Sequence, residues 1–308
     1  MKTLAIAQNQ NIVVVPEIVV NLDIPENKRL KRTLVKTTDF NQVNFDVRKI
    51  ECEFESISPV RTDIVVYPFG ANRPIRVGCT SEDYLLVPNS EVFGLIRQTV
   101  IDNNVKFVEK YTMYDYSQFE MELIFPNNYF IMNGKDVCFL KVSMLNSYSG
   151  VSKHKVEFGL HRAVCTNGLT LPVSDYAIDF SGKHTKSLAS DLQGLSQNLD
   201  KFLNSPNDLK SPFEVLEQRR LNKADLKAYI EPIIKSAGIL PIENSKFNTY
   251  DYLNERIETE MNVLNVQEPN KWLVYNAINH YVYNDSLNNF TPEKRAKIDR
   301  AVMMLVSK

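Results

Sequence analysis

Long apolar runs, clustered cysteines and an excess of one charge are what this 308-residue sequence lacks. No stretch approaches the roughly 18 to 20 apolar residues that cross a bilayer. The first apolar run, Ile12–Val15, stops at Pro16, and Gln8–Asn11 breaks any leader-like apolar segment after Lys2. The chain therefore reads as cytoplasmic, with no membrane partner. Its four cysteines, Cys52, Cys79, Cys138 and Cys165, form no CxxC pair, and the four histidines do not gather beside them. That spacing favours reduced, packed thiols over a zinc site or a disulfide frame. Glycine is sparse, and neither GxxxxGK nor GxGxxG occurs, so no phosphate-binding loop is expected. HExxH and nucleophile-elbow patterns are missing as well. No catalytic residue, metal or cofactor is expected on these grounds. With 36 Lys+Arg against 37 Asp+Glu, the protein is not one that coats nucleic acid over its whole surface.

What remains is an ordinary globular composition, 44% apolar and 24% charged. Charge is segregated along it. Residues 27–49 hold seven cations (Lys28, Arg29, Lys31, Arg32, Lys36, Arg48, Lys49) against Asp39 and Asp46. Residues 251–268 hold five acids (Asp251, Glu255, Glu258, Glu260, Glu268) against Arg256.

Hydrophobic spacing changes once. From about 41 to 180 apolar residues recur at every second position, the period of half-buried strands. Val43, Phe45 and Val47 alternate, then Ile50, Cys52 and Phe54 with shifted parity, which predicts a bulge near Arg48 and Lys49. Short strands are expected over 63–67, 75–79 and 84–87, with a turn over Gly70–Pro74. A helix capped by Asn89 or Ser90 should follow, because Val92, Phe93, Ile96 and Val100 share one face. Further strands are expected over 105–116, 118–125, 137–145 and 156–165, with turns at Asn127-Asn128 and Asn133-Gly134. Beyond about 181 the period becomes helical, starting with Leu188, Leu192, Leu195, Leu199 and Phe202. Ser211-Pro212-Phe213-Glu214 reads as a capping box, and Pro232 as a kink or break inside 222–237. Helices over 250–264 and 269–283 and one starting at Thr291-Pro292 complete the pattern. The fold class is α+β: an antiparallel β-rich N-terminal half with one embedded helix, followed by a helical C-terminal half. The expected parts are a peripheral segment over 1–40 with a basic arm, a core over 41–180 and a helical region over 181–308.

Three groups of side chains bear on chemistry. His154, Glu157, His161 and Cys165 resemble a nucleophile with a base, but four residues along one strand separate His161 from Cys165 by about 13 Å. Glu120 and Glu122 share a strand face, which could bind a cation or sit opposite lysines on a neighbour, a solvated face being the simpler reading. Tyr111, Tyr114, Tyr116 and Phe119 are close together, and Tyr148 lies near the basic pair Lys153 and Lys155. They are either sheet packing or a platform that stacks bases beside phosphate-binding cations. Trp272, Tyr275, Asn276 and Asn279 form a helical stripe suited to core packing.

The segments Val142–Gly150 (reading VSMLNSYSG) and Gly159–Leu169 (GLHRAVCTNGL) resemble the phage/plasmid-like protein family, a domain of unknown function, number 932. Val77-Gly78 through Tyr84, Val87, Asn89 and Phe93, and the helix motif Lys271–Tyr281, resemble the same family in the same order. That family's turn tends to read Asn-Ser-His-Asp-Gly; here Tyr148 and Ser149 replace the His and Asp. The resemblance implies carriage by mobile elements and no particular activity. Gly150 and Gly168 have the character of turn glycines.

The leading functional expectation is a non-catalytic factor that binds single-stranded nucleic acid in recombination or replication. Its contacts would be Lys28, Arg29, Lys31, Arg32, Tyr148, Lys153, Lys155 and Arg162. The order strand, helix, long antiparallel strands is loosely like single-strand annealing proteins, an analogy of fold only, and an oligomer is compatible with it. The alternative is a protein-binding antagonist of a host defence or host machine, with a host or phage protein as partner. An enzyme would need a convergent constellation that these spacings do not supply.

Overall fold

The computed structural model describes residues 35–52, 61–150, 155–163, 168–170, 198–199, 201–204, 206–239, 243–244, 247–283 and 290–308. Antiparallel strands fill the N-terminal half and helices the C-terminal half, as expected. Strands β2 (Asp46–Cys52), β3 (Arg61–Tyr67) and β4 (Ile75–Ser81) form an antiparallel meander. A six-stranded sheet has the order β1-β5-β6-β7-β8-β9, from β1 (Val35–Thr37), β5 (Val108–Asp115), β6 (Gln118–Met132), β7 (Asp136–Ser147), β8 (Lys155–Arg162) and β9 (Gly168–Thr170). Two-residue strands β10 (Glu243–Asn244) and β11 (Phe247–Asn248) pair separately. By contacts the chain divides into two compact units. One comprises Met1–Asn127, Lys141–Glu157 and Ile178–Asp200; the other comprises Asn128–Leu140, Phe158–Ala177 and Lys201–Lys308.

In the first unit, helix α1 (Asn89–Asp102) buries Val92, Phe93, Ile96 and Val100. Phe93 meets Tyr111 of β5 and Phe40, with ring centroids 6.2 and 6.4 Å apart. Phe119, Met121, Leu123 and Phe125 of β6 point into the same core, following the two-residue alternation of a strand. The helix starts differently from expectation. Pro88 holds the cap position with no side-chain cap, because Asn89 turns inward and donates from Nδ2 to the Val43 carbonyl at 2.7 Å. Residues 84–87 form no strand. The β2–β3 register runs unbroken from Asp46↔Tyr67 to Cys52↔Arg61, so no bulge lies at Arg48. Val43 and Phe45 belong to the 3-10 turn Phe40–Gln42 and its exit, and that change of element is what shifts the parity. The irregularity falls instead between Ile64 and Val65 on the β4 side.

In the second unit, α2 (Pro206–Gln218), α3 (Leu226–Ser236), α4 (Thr249–Leu264), α5 (Lys271–Tyr283) and α6 (Pro292–Ser307) surround a shared core. Helix α5 is buried on nearly all sides, from Trp272 to Val282. Ser211 is no cap: α2 opens at Pro206 and runs through Pro212. Helix α3 likewise continues through Pro232 and ends before Gly238, at φ +75°. Thr291 does cap α6, accepting from the Lys294 N–H. Strand β6 continues through Asn127-Asn128, where a turn was expected, and Asn128 donates instead to the Leu203 carbonyl at 2.9 Å. The Asn133-Gly134 turn is present, both residues at positive φ.

Candidate functional site

The first motif assembles a buried knot rather than a binding face. Tyr148 is fully buried. Its ring packs on Phe119 at 5.0 Å, its hydroxyl accepts from the Asn89 N–H at 2.9 Å, and its own N–H donates to the Ser117 carbonyl at 2.7 Å. Burial raises its pKa well above the phenol range. Asn146 donates from Nδ2 to the Val87 carbonyl and to Asn89 Oδ1, at 3.1 and 2.8 Å. Tyr84 donates to the Ser147 carbonyl at 3.0 Å. Gly78 is a close-approach glycine: a Cβ there would lie 2.8 Å from the Ser149 Cα. Residues spaced far apart in sequence (Gly78, Tyr84, Val87, Asn89, Asn146–Ser149) thus meet at one point in the first unit.

Arg162 organises a second knot, within the second unit. It is fully buried and bonds Asp136 in bidentate fashion, its Nη2 also reaching Glu260 at 3.0 Å. Trp272 Nε1 donates to the same Asp136 Oδ2 at 2.9 Å, and the guanidinium lies over the Trp272 ring. Burial opposes the guanidinium charge, but Glu260 and Asp136 outweigh it and raise its pKa. Arg256 bonds Glu260 from the other side. His280, hydrogen-bonded to Tyr252, has its pKa lowered to about 4, mainly by burial and then by Arg256. Asp136 and Glu260 carried no sequence signal as partners of Arg162; a buried arginine demands carboxylates without saying which.

Lys155 is also engaged. It pairs tightly with Glu157, and only 18% of its side chain is exposed. On the neighbouring strands Lys110 stands opposite Glu122, which bonds the buried Lys141. Glu122 therefore faces lysines across the sheet, and Glu120 accepts from Tyr114. Of the expected contacts, Tyr148 and Arg162 are interior groups and Lys155 is held in an ion pair. Lys28, Arg29, Lys31, Arg32 and Lys153 lie outside the described residues, as do His154 and Cys165. Cys79 and Cys138 are free thiols. No cluster that could hold a metal occurs among the described residues, and no helix among them is long and apolar enough to cross a membrane.

Another part of the first unit is open. A groove of about 770 Å³ is lined by Phe45, Tyr67, Phe69 and Tyr116, by the polar residues Asn41, Gln42 and Asn44, and by Val35, Asp39, Asp46, Pro68 and Met113. Phe45 packs edge-on against Tyr116 and Phe119, which fixes the groove wall. Arg48 lies over the Tyr67 ring at 5.0 Å and neutralises Asp46 at 2.6 Å. Asp39 Oδ1 is occupied by the Asn41 N–H and side-chain amide. Phe69, at the start of the β3–β4 connection, is 100% exposed. Of these rings only Tyr116 stood out in the sequence as a possible base-stacking group. The signal for Phe69 was the Pro-Phe-Gly corner, read only from Gly70 onward.

The family model for a domain of unknown function, DUF932, matches residues 76–304. The chain belongs to the DUF932 family. No curated protein and no solved structure matches it. The matched span contains both knots. The groove draws ten of its twelve lining residues from Val35–Phe69, ahead of the matched span. In this DUF932 protein the open site is thus built mainly by residues outside the family's own region.

Proposed function

We propose that this DUF932 protein is a non-catalytic factor that binds single-stranded nucleic acid in the groove of its first unit, serving recombination or replication of a mobile element. The mobile-element setting rests on the sequence resemblance alone. The observation that carries the binding reading is the lining: four rings, two of them bearing hydroxyls, beside the polar residues Asn41, Gln42 and Asn44 in an open trough. Rings stack any base through its π-face, and amides match the donor–acceptor pairs on base edges. A groove for an apolar peptide would need more aliphatic wall than Val35, Pro68 and Met113 supply. Of the two lining carboxylates, Asp46 is paired with Arg48, and Asp39 is hydrogen-bonded within its own turn, so one negative charge stays at the groove and phosphates must lie away from it.

The test is fluorescence anisotropy of labelled oligo(dT) and oligo(dA) against a duplex of equal length, at about 50 and 200 mM salt. Single strands should bind more tightly than duplex. Tyr67→Ala and Tyr116→Ala should each weaken binding by about 1–3 kcal/mol, the worth of one base–ring stack. Absence of binding to either single strand at the lower salt rejects the reading. A nuclease-resistant protein partner recovered in its place would favour the protein-binding alternative.

A further inference from the structure

Phe69 is a large apolar ring held wholly in solvent, and the way it is held gives it a task. The Ala71 N–H donates to the Pro68 carbonyl at 3.1 Å, and Gly70 has φ +77°. These are the marks of a type II turn with Phe69 at its first corner and glycine at the second. Behind the turn, β3 and β4 are paired from Val66↔Ile75 onward. The ring therefore stands on a hydrogen-bonded turn two residues beyond the end of β3, at the start of the β3–β4 connection. It also forms one end of the aromatic groove, next to Tyr67. Arg73 is exposed on the same connection, and Arg76 at the base of the hairpin bridges to Asp63 at 2.7 Å.

We infer that Phe69 is a wedge that enters between neighbouring bases and unstacks them as the strand is laid into the groove; this rests on the proposed single-strand reading. An apolar ring inserted at a base step replaces the base–base stack that it breaks, and the rings behind it receive the freed base. Arg73 stands where it can meet the phosphate of the opened step. Opening a step costs about what the inserted ring returns, so the wedge changes the shape of the bound strand more than its affinity.

The experiment uses the full chain and an oligonucleotide carrying 2-aminopurine, whose emission rises when its neighbours unstack. The wild-type protein should raise the emission on binding. Phe69→Ala removes one groove ring, so it should weaken oligonucleotide affinity by no more than about 150-fold, the upper span of a single stack, and, at saturating protein, lose the rise. Gly70→Ala keeps the ring but strains the turn that displays it, and should diminish the rise. Phe69→Trp should retain it. Binding without any change in emission, or a rise that survives Phe69→Ala, overturns the wedge while leaving the groove reading intact. Loss of all binding by the wild-type chain would instead reject the groove reading.

Discussion

Arg162 shows at the scale of one residue how a surface-looking cation becomes an interior one. Two carboxylates, Asp136 and Glu260, and the Trp272 indole close around it. Such an arrangement compensates for the loss of water only while all partners are present. Arg162→Leu leaves two buried carboxylates sharing no guanidinium, and should cost about 3–5 kcal/mol. The measurement is the urea midpoint of the variant against wild type, with the slope checked for a common transition. Adding Asp136→Asn and Glu260→Gln should restore part of the loss, since the orphaned charges are removed with the cation. An unchanged midpoint for Arg162→Leu would show that this knot is not what holds the second unit. Oligonucleotide binding by the variant, measured where it remains folded, should match wild type, because a fully buried guanidinium offers no phosphate contact.

At the scale of elements, periodicity carried most of the information, while local punctuation held at Thr291 and Asn133-Gly134 and failed elsewhere. Strands β5 to β8 and helices α1, α4, α5 and α6 lie close to where alternation or three-and-four spacing placed them. Burial of one face imposes that spacing, so it survives in the sequence. Caps and turns are weaker signals because tertiary partners can outbid them. Asn89 could cap α1 yet bonds Val43, and Asn127-Asn128 could turn yet continues β6. Prolines were overridden in part: Pro212 sits inside α2 rather than at its start, and α3 continues through Pro232 without a break. Each removes one backbone hydrogen bond from its helix. Pro232→Ala should therefore raise stability by about 1 kcal/mol, part of the intrinsic helix preference being offset by greater freedom of the unfolded chain. A urea midpoint that falls in Pro232→Ala would mean that α3 depends on the rigidity of the proline ring more than on the lost hydrogen bond. The candidate site was less legible than the fold. Its rings come from the exit of a 3-10 turn, a hairpin connection and the end of β5, with no common spacing to join them.

For the whole molecule the question is where free positive charge remains when the net charge is −1. Lys141, Lys155 and Arg162 are matched by carboxylates, and Arg48, which lies over the groove's Tyr67, is shared with Asp46. Stacking should therefore supply most of the affinity that the groove itself gives to a single strand, and stacking responds little to salt. A steep salt dependence must come from elsewhere, and the sequence concentrates Lys28, Arg29, Lys31 and Arg32 just before β1. On the proposed reading these four cations bind phosphates of the same strand. Replacing all four with alanine should flatten the plot of log affinity against log salt by about 0.7 for each phosphate no longer neutralised, or roughly 3 in total. Tyr67→Ala should lower affinity at every salt concentration and leave the slope unchanged. The pair of measurements separates the two contributions, because charge is read in the slope and stacking in the intercept. An arm variant that binds oligo(dT) with the wild-type slope would place those cations off the strand, leaving recognition to the rings alone.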